Sequence, residues 1–222
     1  MGKFFNYDNS FFRFLAKLGD LLLLNFLVVI CSLPIITIGA TVTAAHYTAL
    51  KIRRDESYVM KNFWKSFKLN FKQSTIMWLL LLVYIMVLGF LMLILSASGD
   101  KMIMVMQGVV FVIVLFSLFI VLWMFPLQAK FVNTIGGTIR NAFILSFKHL
   151  QRTLCMVLVA LLPIALLIVL SVKWYIILIL FGFSAPYYLC ALLYDKVFEE
   201  LEEAFMLTVE ENETEQLETT TV

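Results

Sequence analysis

The chain has 222 residues, 62% of them hydrophobic and 14% charged, against a soluble average of roughly 45–50% and 25%. A soluble fold of this length could not cover so much apolar surface, whereas lipid removes the need to. A net charge of +2 makes no case for nucleic acid, because the basic residues cluster in 51–72 and 130–152, beside apolar runs, where anionic lipid headgroups are the nearer partner.

Uncharged runs set the elements. Residues 21–50, 74–95, 102–129, 153–172 and 174–194 carry no Asp, Glu, Lys or Arg, and each matches or exceeds the roughly 20 residues needed to cross a bilayer as a helix. The first run is long enough for two helices turning at Cys31-Ser32-Leu33-Pro34, and Pro34 suits a first helical turn because its missing N–H would be unpaired there anyway. The expectation is an all-α, polytopic transmembrane bundle over residues 1–207. It has six spans at about 10–32, 34–53, 74–96, 102–126, 153–171 and 174–194, with interfacial amphipathic linker helices. The alternative is five spans, with 21–50 crossing once. A cleaved leader is not expected, since Val28-Val29-Ile30 puts no small residue before Cys31 and Pro34 falls where a cleavage region should be extended.

Orientation follows the positive-inside rule. Residues 51–72 hold seven Lys or Arg and 130–152 hold four, whereas the hinges 96–101 and 171–173 hold one each. With six spans the split is 15 inside to 2 outside, so both termini are expected to be cytoplasmic, with Trp78 and Trp123 near the inner interface. Asp20 would then sit inside the first helix, where an ionised carboxylate costs about 2.5–3.5 kcal/mol unless paired, and Lys17 on the same face is the expected partner. In the second helix Gly39/Thr43, Ala40/Ala44 and Thr41/Ala45 put small residues at four-residue spacing, which lets backbones pack closely.

In the first linker Lys61, Lys65, Lys68 and Lys72 form one helical stripe, beside an aromatic stripe of Phe63, Trp64, Phe67 and Phe71. This is the pattern of an interfacial helix, with an alternative role as a docking helix for a partner. Phe63-x-x-Ser66-Phe67-Lys68 recurs as Phe143-x-x-Ser146-Phe147-Lys148, a parallel repeat of linker plus span. Nine glutamates fall in 199–218. Residues 198–207 suit an amphipathic helix, and 208–222 are expected to be an acidic, disordered tail, either solvated or folded back over the basic linkers.

No catalytic constellation is present. His46 and His149 have no carboxylate or thiol at ligand spacing, and Cys31, Cys155 and Cys190 form neither a disulfide framework nor a metal motif. No phosphate-binding glycine loop occurs. No enzyme, metal or cofactor is expected. The candidate intramembrane polar site is Asp20, Asn25, Thr37, Thr41, Thr43 and His46, read either as a solute path or as polar glue holding the hairpin to its neighbours.

Leu24-Asn25-x-Leu27, then Ser32-Leu33-Pro34-Ile35-Ile36-Thr37-Ile38-Gly39-Ala40, Phe63-Trp64-x-x-Phe67-x-x-Asn70-Phe71, Phe125-Pro126-Leu127 and Phe131-x-Asn133-Thr134 resemble the YesL family of bacterial membrane proteins. The likeness covers about residues 1–205. It implies a multi-pass protein of a bacterial plasma membrane, of undefined activity, acting as an accessory or regulatory partner in carbohydrate uptake beside an ABC-transporter permease. The permease reading itself is disfavoured, since residues 130–152 lack an acidic coupling motif. The competing expectation is an independent small-solute transporter or channel using the first hairpin.

Overall fold

In the computed structural model, residues 10–56, 58–96, 101–169 and 180–220 are described, with the backbone alone for Ser10, Lys101, Val169 and 208–220. Among the described residues are seven α-helices: α1 Ser10–Ser32, α2 Ile38–Arg53, α3 Val59–Ser96, α4 Lys101–Lys130, α5 Ile135–Lys148, α6 Leu150–Val169 and α7 Ser184–Thr220. The described residues contain no strand. Among the described residues five stretches are long and apolar enough to cross a membrane: Phe11–Ser32, Ile35–Arg53, Val59–Ser96, Met102–Lys130 and Leu150–Ile168. The chain is a multi-pass helical membrane protein.

α1 and α2 form a hairpin whose turn contains the 3-10 segment Ile35–Thr37. Lys17 on α1 pairs with Asp55 just after α2 at 2.9 Å, so the two arms start and finish at one end of the bundle. Asp20 therefore does not have Lys17 as its partner, contrary to the sequence expectation. The α2–α3 loop competes for that lysine and keeps its carboxylate in water. The bond from Lys17 and its charge hold Asp55 below the ordinary carboxylate range.

α2 runs antiparallel to α3 at very close range. A Cβ on Gly39 would lie 2.3 Å from the Ser74 carbonyl oxygen and 2.5 Å from Trp78 Cβ. Ala40, Thr41, Thr43, Ala44 and Ala45 are fully buried beside it, so the small-residue spacing does bring backbones together. The Trp78 indole N–H donates to the Ile35 carbonyl at 2.8 Å. Trp78 thus braces the hairpin turn, away from the basic end where the sequence placed it.

Three further boundaries differ from expectation. The first linker is not a separate helix lying in the interface. It runs without a break into the span as the 38-residue α3, because residues 59–88 hold neither proline nor glycine and nothing interrupts the backbone ladder. The last span is not one continuous helix: residues 174–179 lie outside the described residues, and a turn at Gly182 and Phe183 precedes α7. Pro186 sits in the first turn of α7, where its missing N–H is tolerated. The acidic tail is helical to Thr220 rather than disordered, since glutamate is a good helix former and the segment continues an already nucleated helix.

The core gathers at the end carrying the basic loops. Trp123, Tyr194, Phe63, Phe198, Leu24, Ile52, Met77 and Met156 are the largest fully buried side chains, and six helices supply them. The Phe198 ring meets Tyr194 at 4.8 Å, Phe131 at 5.4 Å and Trp123 at 6.4 Å. Towards the other end Val83, Phe90, Leu93, Met102, Phe111 and Leu158 are exposed. Lipid tails are as apolar as these side chains, so no transfer energy drives them inward there.

Candidate functional site

The six intramembrane polar residues do not converge on one cavity. Asn25 reaches across from α1 to the start of α7, where its Oδ1 accepts from the backbone N–H groups of Phe183 and Ser184, both at 3.1 Å. This is a cap supplied by another helix, satisfying donors that a helix start leaves open. Thr37 and Thr41 turn to the end of α1: the Thr37 hydroxyl donates to the Cys31 carbonyl at 2.6 Å, and the Thr41 hydroxyl lies 3.0 Å from the same oxygen. Thr43 shares a 2.8 Å hydrogen bond with the Ser74 hydroxyl on α3.

His46 is buried against α7. Its Nδ1 lies 3.3 Å from the Tyr194 hydroxyl, which in turn sits 3.2 Å from the His46 carbonyl oxygen. The Tyr187 ring meets the imidazole edge-on at 4.8 Å. Asp20 is half-buried on α1 and forms no ion pair or hydrogen bond among the described residues.

Of the interfacial set, Lys61, Lys65, Lys68 and Lys72 are all exposed, as one stripe requires. The aromatic stripe divides. Phe63 is fully buried and Phe67 half-buried, while Trp64 and Phe71 remain exposed. Phe63, Phe67 and Phe71 follow one another along α3 at 6.0 and 5.5 Å, so part of this surface belongs to the core. In the repeat, Ser66 and Ser146 are both buried, but only the second copy is followed by a helix break, at His149. Burial and the Arg152 charge lower the pKa of His149.

Two polar groupings were not singled out in the sequence. The first is a ladder across three helices: Asn70 Nδ2 lies 3.1 Å from the Ser66 carbonyl, Gln128 Nε2 donates to Asn70 Oδ1 at 3.1 Å, and Thr138 donates to Gln128 Oε1 at 3.2 Å. A glutamine, Gln128, at the end of the apolar run before Lys130 was the available signal. The second is an ionic latch. Asp195 on α7 is 4% exposed and pairs with Arg53 at 3.1 Å and Arg54 at 2.8 Å. Glu202 pairs with Lys130 at 2.5 Å, and Glu200 reaches Arg152 at 3.9 Å. Burial opposes the Arg54 charge, but the hydrogen bond it donates to Asp195 and the fields of Asp195, Glu202 and Glu199 outweigh it and raise its pKa. The first glutamates after the last apolar run thus lie over the basic loops.

Beside the latch a groove of ≈ 860 Å³ opens between α4, α5 and α7, with Lys130, Phe131, Asn141, Lys148, Glu202 and Phe205 among its walls. A shallower one of ≈ 820 Å³ lies on the far side of Val132 and Asn133, against Lys72 and Gln73. Among the described residues no group of three or more His, Cys, Asp or Glu is placed to hold a metal ion.

No curated protein and no solved structure matches the chain. The model of one family, described as a protein of unknown function, DUF624, matches residues 21–92, which take in most of α1, all of α2 and most of α3.

Proposed function

We propose that the chain is a non-enzymatic accessory protein of a bacterial plasma membrane, with its basic end and both termini cytoplasmic, and that it partners or regulates an ABC-type carbohydrate permease. The uptake role comes from the YesL resemblance, whose first three motifs fall inside the residues that match the family of unknown function. One structural observation supports an accessory role over independent transport. Asn25, Thr37, Thr41, Thr43 and His46 are engaged in helix–helix hydrogen bonds, whereas the two grooves open beside the basic loops. A transport route needs polar groups left facing a common path. The test is copurification of the tagged full chain from bacterial membranes, with sugar uptake followed in a deletion strain. The expected result is stoichiometric recovery of a permease subunit. Failure to recover one, with uptake unchanged, would remove the proposal.

Asp20 favours a second reading, because a half-buried carboxylate within an apolar helix, without a partner among the described residues, is a functional suspect. Flux of small solutes into liposomes containing the purified protein, abolished by Asp20→Asn, would replace the accessory reading with a transporter.

A further inference from the structure

We propose that the groove between α4, α5 and α7 binds an anionic phospholipid, with its headgroup phosphate at Lys148 and Asn141 and its upper acyl chains against Phe131, Ile144 and Phe205. This rests on the chain being a membrane protein and not on any role in sugar uptake.

Charge selects the lipid class. Two lysines and one glutamate line the groove. Lys130 is neutralised by Glu202 at 2.5 Å, while Lys148 is exposed and has no ion pair among the described residues. One uncompensated positive charge therefore remains at the rim. The Asn141 side chain, half-buried in the same wall, makes no hydrogen bond among the described residues and supplies a donor to phosphate oxygens. A lipid with a net charge of −1 completes this balance, whereas a zwitterionic one brings an ammonium for which the described lining of the groove holds no carboxylate besides Glu202.

The walls argue against a free ion. Leu127, Phe131, Ile144, Leu145 and Leu201 surround the polar groups, and a space of ≈ 860 Å³ falls in the range, roughly 300–1,000 Å³, that holds drug-sized organic molecules. Inorganic phosphate would leave most of that surface in water. The position is right for lipid as well: α5 leaves Ile139, Phe143, Ile144 and Phe147 exposed beside Arg140 and Lys148, the composition of a helix seated at the headgroup boundary.

The test is native mass spectrometry of the full chain released from detergent with equal phosphatidylglycerol and phosphatidylcholine added. Phosphatidylglycerol is expected to be retained preferentially. Lys148→Ala should reduce its retention about fivefold, the effect of one basic residue at an anionic surface, and Lys148→Arg should restore it even if the alanine variant is less stable. Lys61→Ala, on the α3 stripe and not among the groove's lining residues, should change nothing. Equal retention of the two lipids, no effect of Lys148→Ala, or displacement of the lipid by inorganic phosphate would overturn the proposal. So would a disulfide-linked dimer of an Asn141→Cys variant, which would give the groove to a second copy.

Discussion

Gly39 is the residue whose identity the packing most constrains. Its missing Cβ lets the Ser74 carbonyl and the Trp78 Cβ approach within 2.3 and 2.5 Å of where that atom would be, and one obstacle is backbone, which cannot swing aside. Gly39→Val should separate α2 from α3 and cost about 2–3 kcal/mol, at the upper end of overpacking effects, read as a lower unfolding midpoint in mixed micelles. Asn25 works by hydrogen bonding instead. Asn25→Ala leaves the Phe183 and Ser184 N–H groups without their acceptor and should cost about 1–2 kcal/mol, as loss of a helix cap does. Asn25→Asp, which keeps the acceptor, should restore part of that loss. An unchanged midpoint in Asn25→Ala would show that the cap carries no stability.

Among the elements, α7 is the one whose role changes between sequence and structure. Composition presents it as a span, an amphipathic helix over 198–207 and an acidic tail from 208, either solvated or folded back over the basic linkers. In the fold Asp195, Glu200 and Glu202 join it to basic residues at the ends of α2, α4 and α6. Most of these pairs are half-exposed and contribute little individually, but Asp195 is buried. Asp195→Asn would leave Arg53 and Arg54 without their nearest anion. The expected loss is about 2–3 kcal/mol, below the roughly 3–5 kcal/mol of a fully buried pair because Glu199 and Glu202 stay within reach of Arg54. Protease sensitivity of the C-terminal segment in that variant measures it, and unchanged cleavage would mean that α7 is held by its apolar contacts alone. α3 carries the opposite lesson: its amphipathic first turns read correctly as helix, yet only the tertiary contacts of Phe63 distinguish a core face from a lipid face.

At the scale of the whole molecule, the α1–α2 hairpin is shorter than the helix it packs on. The Trp78 bond to Ile35 marks the level of the turn, and residues 79–96 carry α3 about 27 Å further along its axis. Leu33, Ile35 and Ile36 are exposed at that turn, which suits hydrocarbon better than water. The turn is therefore expected to lie within the apolar layer. In single-cysteine variants of the otherwise cysteine-free chain, Ser96→Cys should react with a membrane-impermeant maleimide and Ile35→Cys should not. Equal reaction at both would put the turn at the membrane surface.

Sequence alone settled the solvent and the class of the molecule, because the length and polarity of an uncharged run are read against one fixed dimension, the bilayer thickness. It also exposed the close approach of α2, since four-residue spacing of Gly39, Thr43, Ala40 and Ala44 is a local pattern. What it could not assign were partners. Lys17 had two acids within reach of plausible geometry, Asn25 and Gln128 had none nearby in the chain, and Asp195 finds its arginines 141 and 142 positions away. A polar side chain in an apolar segment must satisfy itself somewhere, but which group answers depends on how helices far apart in sequence are brought side by side. The turn before α7 was hidden for the same reason: Gly182 and Pro186 permit a break, and the acceptor that stabilises it comes from α1.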